Sequence, residues 1–201
     1  MATTISAGQV KQLRERTGAG MMECKKALEE ASGNMESAID LLRARGAAKA
    51  AKRAERETRE GTIGSYVHTN GRIGVLVEVQ CETDFVSRND TFQQLARDLA
   101  MHIAAAAPLA LDADGIPADV VERERAVYLE QVRQEDKPEK MQEKIVEGKL
   151  RKFYQESTLL DQIFVKDPAG KQTIRQLVQE ASTKTGENVV VRRFVRYQLG
   201  E

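Results

Sequence analysis

Apolar residues recur at helical spacing three times in the first 46 positions. Val10 and Leu13 form a stripe that stops before Thr17-Gly18-Ala19-Gly20. Met21, Cys24, Leu28 and Ala31 form a second that ends at Gly33, and Met35, Ala38, Ile39 and Leu42 a third that ends at Gly46. Asn34 suits the N-cap of the third helix and Glu36 its first turn. Helices this short are unstable alone, so the pattern predicts a three-helix module over 1–46. A module of that size is near the lower limit for independent folding and would gain from docking to something else. Residues 47–60 hold no apolar side chain larger than alanine, the best helix former. They predict a basic, Ala-rich, solvated linker helix.

At Gly61 the helical period gives way to alternation. Thr62 to Thr69 and Arg72 to Cys81 flank Asn70-Gly71, a strong hairpin signal that favours a type I′ turn. Ile73, Val75, Val77, Val79 and Cys81 share one strand face. From about Asn89, a stripe of Phe92, Leu95, Ala96, Leu99, Ile103 and Ala106 predicts a helix that ends before Pro108, with Ser87 as its candidate cap and Asp90 as capping-box partner. Residues 118–156 read as two antiparallel helices meeting near Asp136-Lys137-Pro138, with Pro138 close to the first helical position. Their apolar residues are sparse (Val121, Tyr128, Val132, Met141, Ile145, Val146, Leu150, Phe153), so the pair projects or meets a partner. Ile174, Leu177, Val178 and Ala181 mark a last helix up to Gly186, and Asn188 to Leu199 a closing strand. The expected class is α+β, with a core over 61–201 that carries an antiparallel sheet and a protruding helical hairpin.

Composition narrows the function. Among 201 residues, 31 Lys and Arg balance 31 Asp and Glu, which excludes a globally basic nucleic-acid coat and a large acidic tail. The chain is 41% hydrophobic, enough for a packed core, yet it has only five Phe, four Tyr and no Trp. No apolar run approaches the ~20 residues that span a bilayer. Met1 to Ser6 lack the basic and apolar regions of a secretory signal. Cys24 and Cys81 are too few for a disulfide framework or a four-thiolate zinc site. A soluble protein of a reducing compartment is expected.

Candidate reaction chemistry is thin. His68 and His102 are the only histidines, and neither belongs to a His-x-x-x-His or Cys-x-x-Cys pair. Gly18-Ala19-Gly20 lacks the Lys-Ser/Thr of a phosphate loop. Acid pairs lie on charged helices, where a solvated face is the simpler reading. Arg43 to Arg59 holds seven Lys or Arg in 17 residues, open to reading as a nucleic-acid contact, but no aromatic residue interleaves for stacking. Two segments stand apart. Leu13 to Leu28 places Met21 and Met22 together at a helix start beside a Gly-rich turn. Methionine makes an adaptable contact surface, and adjacent helix positions point about 100° apart, so one of the two is free to face outward. Glu82-Thr83-Asp84-Phe85-Val86-Ser87-Arg88-Asn89 sets an aromatic beside an acid in a strand-to-helix connection. Continued strand alternation sends Phe85 into the core; the alternative is an exposed aromatic anchor for a partner's pocket.

These two segments, with Gly186-Glu187-Asn188 and Arg192-Arg193-Phe194, resemble the signature regions of bacterial elongation factor Ts, the exchange factor for elongation factor Tu, in order and spacing over essentially the whole chain. The resemblance implies a ubiquitin-associated-like module, a linker, an α+β core and a protruding helical hairpin. It implies a guanine-nucleotide exchange factor, cytoplasmic, that promotes GDP release by stabilising the nucleotide-free state. No covalent chemistry, cofactor, metal, nucleic acid or membrane is expected. Arg14, Met21 and Met22 match contacts of the module with the nucleotide-binding domain of elongation factor Tu. Thr83, Asp84, Phe85 and Val86 match a partner-binding motif, in which Asp84 and Phe85 match a pair that intrudes near its magnesium site, which favours the wedge reading of Phe85. His68, in Ser65-Tyr66-Val67-His68, matches a histidine that touches another domain of that partner, and Gly186 lies in an interface loop. Longer members of the family contain two related core halves and a C-terminal helix. This chain has one core copy, stops at Gly200-Glu201, and carries the motifs of both halves, so a homodimer is expected. The competing readings are an RNA-binding protein led by Arg43–Arg59 and an adaptor that binds through Met21 and Met22 without affecting nucleotide release.

Overall fold

The structure is a computed structural model that describes residues 5–134 and 138–200. Met1 to Thr4, part of the Met1 to Ser6 stretch where no secretory signal is expected, and the junction at Asp136-Lys137 lie outside them. Three helices open the chain: α1 (Ala7–Thr17), α2 (Met21–Glu30) and α3 (Met35–Arg53). Ser6 and Gln9 form a capping box on α1, Gly18 ends it in the left-handed region, and Asn34 caps α3 through the Ser37 N–H. The helices close on one core of Leu13, Cys24, Ala27, Leu28 and Ala38, all fully buried, edged by Val10, Ile39 and Leu42. At the module's surface, Lys49 bonds Glu23 and holds that carboxyl below its ordinary pKa.

Helix α3 does not stop at Gly46. It runs on to Arg53, and residues 54–59 are not helical. The carbonyls of Ala54 and Arg56 accept from the Asn188 side-chain amide, at 3.5 and 2.9 Å, in place of helical N–H donors. Strands β1 (Glu60–Val67), β2 (Ile73–Cys81) and β3 (Val190–Gln198) form a three-stranded antiparallel sheet in the order β1-β2-β3. The hairpin between β1 and β2 forms at Asn70-Gly71, but not as a type I′ turn. That turn needs positive φ at both central residues, and here only Gly71 has it (φ 66°). The His68 carbonyl accepts from the Gly71 N–H at 2.7 Å, so the turn begins at His68.

A single helical turn, α4 (Asp84–Ser87), precedes the long α5 (Asp90–Ala106). Asn89, rather than Ser87, caps α5, its side chain accepting from the Thr91 N–H at 2.8 Å. The Ser87 hydroxyl instead donates to the Asp84 carbonyl. On β2, Val75, Val77, Val79 and Cys81 are buried. A Cβ on Gly64 would lie 2.6 Å from the Ala96 carbonyl oxygen, so β1 meets α5 where it has no side chain. Helices α6 (Ala118–Gln134) and α7 (Glu139–Ser157) form the expected hairpin around Val132, Val146 and Leu150. Backbone bonds from Leu109 to Ser157 and from Leu159 to Ala110 fasten its base. Helix α8 (Ile174–Thr185) leads through Gly186 into β3.

By contact density the chain divides into two compact units. One comprises Met1–Gly64, Glu78–Ala96 and Gln176–Arg192; the other comprises Ser65–Val77, Arg97–Arg175 and Arg193–Glu201. The second holds His102, fully buried on α5. Its Nδ1 accepts from the Val165 N–H at 3.3 Å and its Nε2 lies 3.0 Å from Gln162 Oε1, which makes it a neutral imidazole with the proton on Nε2. Burial lowers its pKa, against the pull of the Gln162 hydrogen bond. No described helix is long and apolar enough to cross a membrane.

Candidate functional site

The connection from β2 to α5 carries the most conspicuous side chain on the surface. Thr83 leaves the strand in extended conformation and caps α4 through the Val86 N–H. That cap ends the strand's alternation, so Phe85 does not continue the buried face of β2. It is 78% exposed, while the adjacent Val86 is buried. Asp84, also exposed, pairs with Arg88 at 3.0 Å one turn on.

One distant residue holds this turn. The Glu187 carboxylate accepts from the N–H groups of Glu82 and Thr83, at 3.0 and 3.1 Å, and from the Thr83 hydroxyl at 2.6 Å. The attachment is reciprocal, because the Glu82 carboxylate accepts from the Asn188 N–H at 2.6 Å and faces Arg56. Cys81 adds a thiol donor to the Thr83 carbonyl at 3.2 Å. Burial, and then the charge of Glu187, push that thiol up to about 11. Gly186 begins the loop at φ 80°, with open space where a Cβ would stand. Its conformation, not a close contact, requires glycine there.

The structure therefore brings Thr83, Asp84, Phe85, Val86 and Gly186 into one constellation. Sequence reasoning noted Glu187 only as part of a resemblance; its role was hidden because its partners lie 104 and 105 residues away. Met21 and Met22, at the start of α2, are 52% and 66% exposed, so both face outward. Arg14, on α1, is exposed too, and its carbonyl accepts from the Gly18 N–H that ends the helix. Neither Met enters the module's core. His68 belongs to the other unit, where it is exposed and its Nδ1 lies 3.1 Å from the Tyr66 hydroxyl. Cys24 and Cys81 are both free and buried. No group of His, Cys, Asp and Glu among the described residues is placed to hold a metal ion.

Fold and site together define an α+β protein that offers exposed apolar anchors on firmly held backbone, the equipment of a protein-binding surface. The family model for elongation factor Ts matches residues 6–201. Elongation factor Ts of Fervidobacterium nodosum is 56% identical over 98% of this chain and 99% of its own length. The protein of the same name from Nitratidesulfovibrio vulgaris is 55% identical over 98% and 97%. That of Thermosipho melanesiensis is 54% identical over 98% and 100%. The chain belongs to the elongation factor Ts family.

Proposed function

We propose that this protein is the guanine-nucleotide exchange factor of elongation factor Tu in the bacterial cytoplasm, acting by binding and not by covalent chemistry. The observation that carries the reading is Phe85, an exposed aromatic on a turn tethered by Glu187. Elongation factor Tu holds GDP through a magnesium and phosphate site. A partner that binds the nucleotide-free state more tightly weakens GDP binding by the same factor. Phe85, with Asp84 beside it, acts as the wedge that favours the distorted site. Thr83 and Val86 complete the partner-binding motif; Thr83 also caps the turn and the buried Val86 anchors it. Differential affinity does the work, and GTP later displaces the factor by the same reciprocity.

The other contacts divide by part. The module over 1–46 docks through Arg14, Met21 and Met22, joined through 47–60 to a core over 61–201. His68, oriented by Tyr66, meets a different domain of the partner, and Gly186 lies in the contacting loop. The protein works as a homodimer, in which two copies supply the halves that longer family members carry in one chain. The outer sheet face supports this. Val67, Leu76, Val195 and Tyr197 alternate with residues that face α5 and are all exposed. On β3 the inward side is marked by Arg196, which donates to the Ala104 carbonyl.

Release of fluorescent GDP from elongation factor Tu tests the reading. Catalytic amounts of this protein are expected to accelerate release. An adaptor would bind without changing the rate. An RNA-binding protein would instead show RNA affinity that falls steeply with salt.

A further inference from the structure

We propose that Glu187 is a positioning residue for nucleotide exchange: its carboxylate clasps the Glu82-Thr83 backbone so that Phe85 is presented outward, and Gly186 turns the chain into that clasp. This rests on the reading of Phe85 as the wedge.

Helix α4 has four residues, far too few to hold itself. What fixes it is external. One carboxylate takes two successive backbone N–H groups and a hydroxyl, charge-assisted bonds that are among the stronger ones available to a protein. The hydroxyl it takes belongs to the residue that caps α4, so clasp and cap share Thr83. The Cys81 thiol bonds the Thr83 carbonyl on the other side of the same residue, and the buried Val86 plugs the apolar side. With Val86 pinned inward, its neighbour Phe85 has one direction left. A turn ordered before docking does not lose that entropy in the complex, which is how preorganisation raises the affinity of a wedge for its target state. Gly186 fits the same picture. Open space at its Cβ gives a substituent nothing to strike, but φ 80° gives the chain the bend that brings Glu187 to the residues just after β2.

The test is a double-mutant cycle of Glu187 and Phe85, read by release of fluorescent GDP from elongation factor Tu, with thiol labelling as a second readout. Glu187→Ala is expected to lower kcat by about tenfold while KM moves less, because the docking contacts on α1 and α2 are untouched. Glu187→Gln keeps one acceptor oxygen and is expected to recover part of the loss; it also serves if the alanine variant does not fold. In a Phe85→Ala background, Glu187→Ala should change the rate by no more than about twofold, because the two act through one group. Cys81, resolved by mass spectrometry, should label faster in Glu187→Ala while Cys24 keeps its wild-type rate. Equal losses from Glu187→Ala in both backgrounds, or unchanged Cys81 labelling, would overturn the clasp. Wild-type exchange by Phe85→Ala alone would overturn the wedge and this role with it. Loss in Phe85→Ala beside wild-type exchange in Glu187→Ala would overturn the clasp and leave the wedge standing.

Discussion

Phe85 and Val86 are chain neighbours, one standing in solvent and the other buried, and the difference comes from a cap. Thr83 accepts the Val86 N–H and stops the strand, so an alternation extended from Cys81 points Phe85 the wrong way. Spacing alone did not reveal this, because a single turn of helix leaves no periodicity to read. An exposed side chain has little fold stability to lose. Phe85→Ala should therefore shift stability by less than ~1 kcal/mol, whereas a core Phe truncated to Ala costs about 3–5 kcal/mol. Thermal unfolding of the two proteins checks this, and a steep drop would mean that Phe85 packs after all. His102 gives the opposite case. It is buried and neutral between Val165 and Gln162. Its folded pKa lies below the ordinary 6.5. The unfolded chain therefore takes up a proton first as the pH falls. The stability held in neutral His102 is complete above pH 6.5 and is lost as pH drops from there through the lower folded value. The stability difference between wild type and His102→Gln should narrow between about pH 7.5 and about pH 5.5 in urea unfolding. A difference that stays constant would contradict the assignment.

Elements with strong local periodicity are legible in the sequence: the starts of the three N-terminal helices, an Asn-Gly hairpin, the α5 stripe and a polar helical hairpin. What was not legible depends on contacts between distant segments. The segment after α3 bonds Asn188, and the Thr83 turn bonds Glu187, both more than a hundred residues away in sequence. The turn at Asn70-Gly71 departs from type I′ because Gly71 alone takes positive φ. The module's core is built on α1, α2 and α3 and the hairpin's core on α6 and α7, two separate clusters. Leu28 is fully buried in the first. Leu28→Ala should cost about 2–5 kcal/mol and speed amide exchange through α1 to α3 while α6 and α7 keep their protection. Uniform loss of protection would show that the two clusters melt as one.

For the molecule as a whole, zero net charge and an exposed apolar sheet face favour self-association. Tyr197, 71% exposed at the end of β3, is the largest residue on that face. Sedimentation equilibrium at micromolar concentration should give twice the 22.4 kDa of one chain, and Tyr197→Glu, which buries a charge in the contact, should return it to the monomer. A wild-type monomer would remove the two-copy reading. Cys81 is buried on the face of β2 opposite Leu76 and Cys24 is buried in the module's core, so no disulfide is expected in that contact. The central claim is that exchange depends on an aromatic that the fold holds outward but does not need for its own stability. Release of fluorescent GDP from elongation factor Tu, with wild type and Phe85→Ala at equal folded concentration, tests it most directly. Losing an interface hot spot costs about 2 kcal/mol or more, so the account predicts that the variant exchanges more than about tenfold more slowly while its melting is unchanged. Equal rates for the two proteins would contradict it.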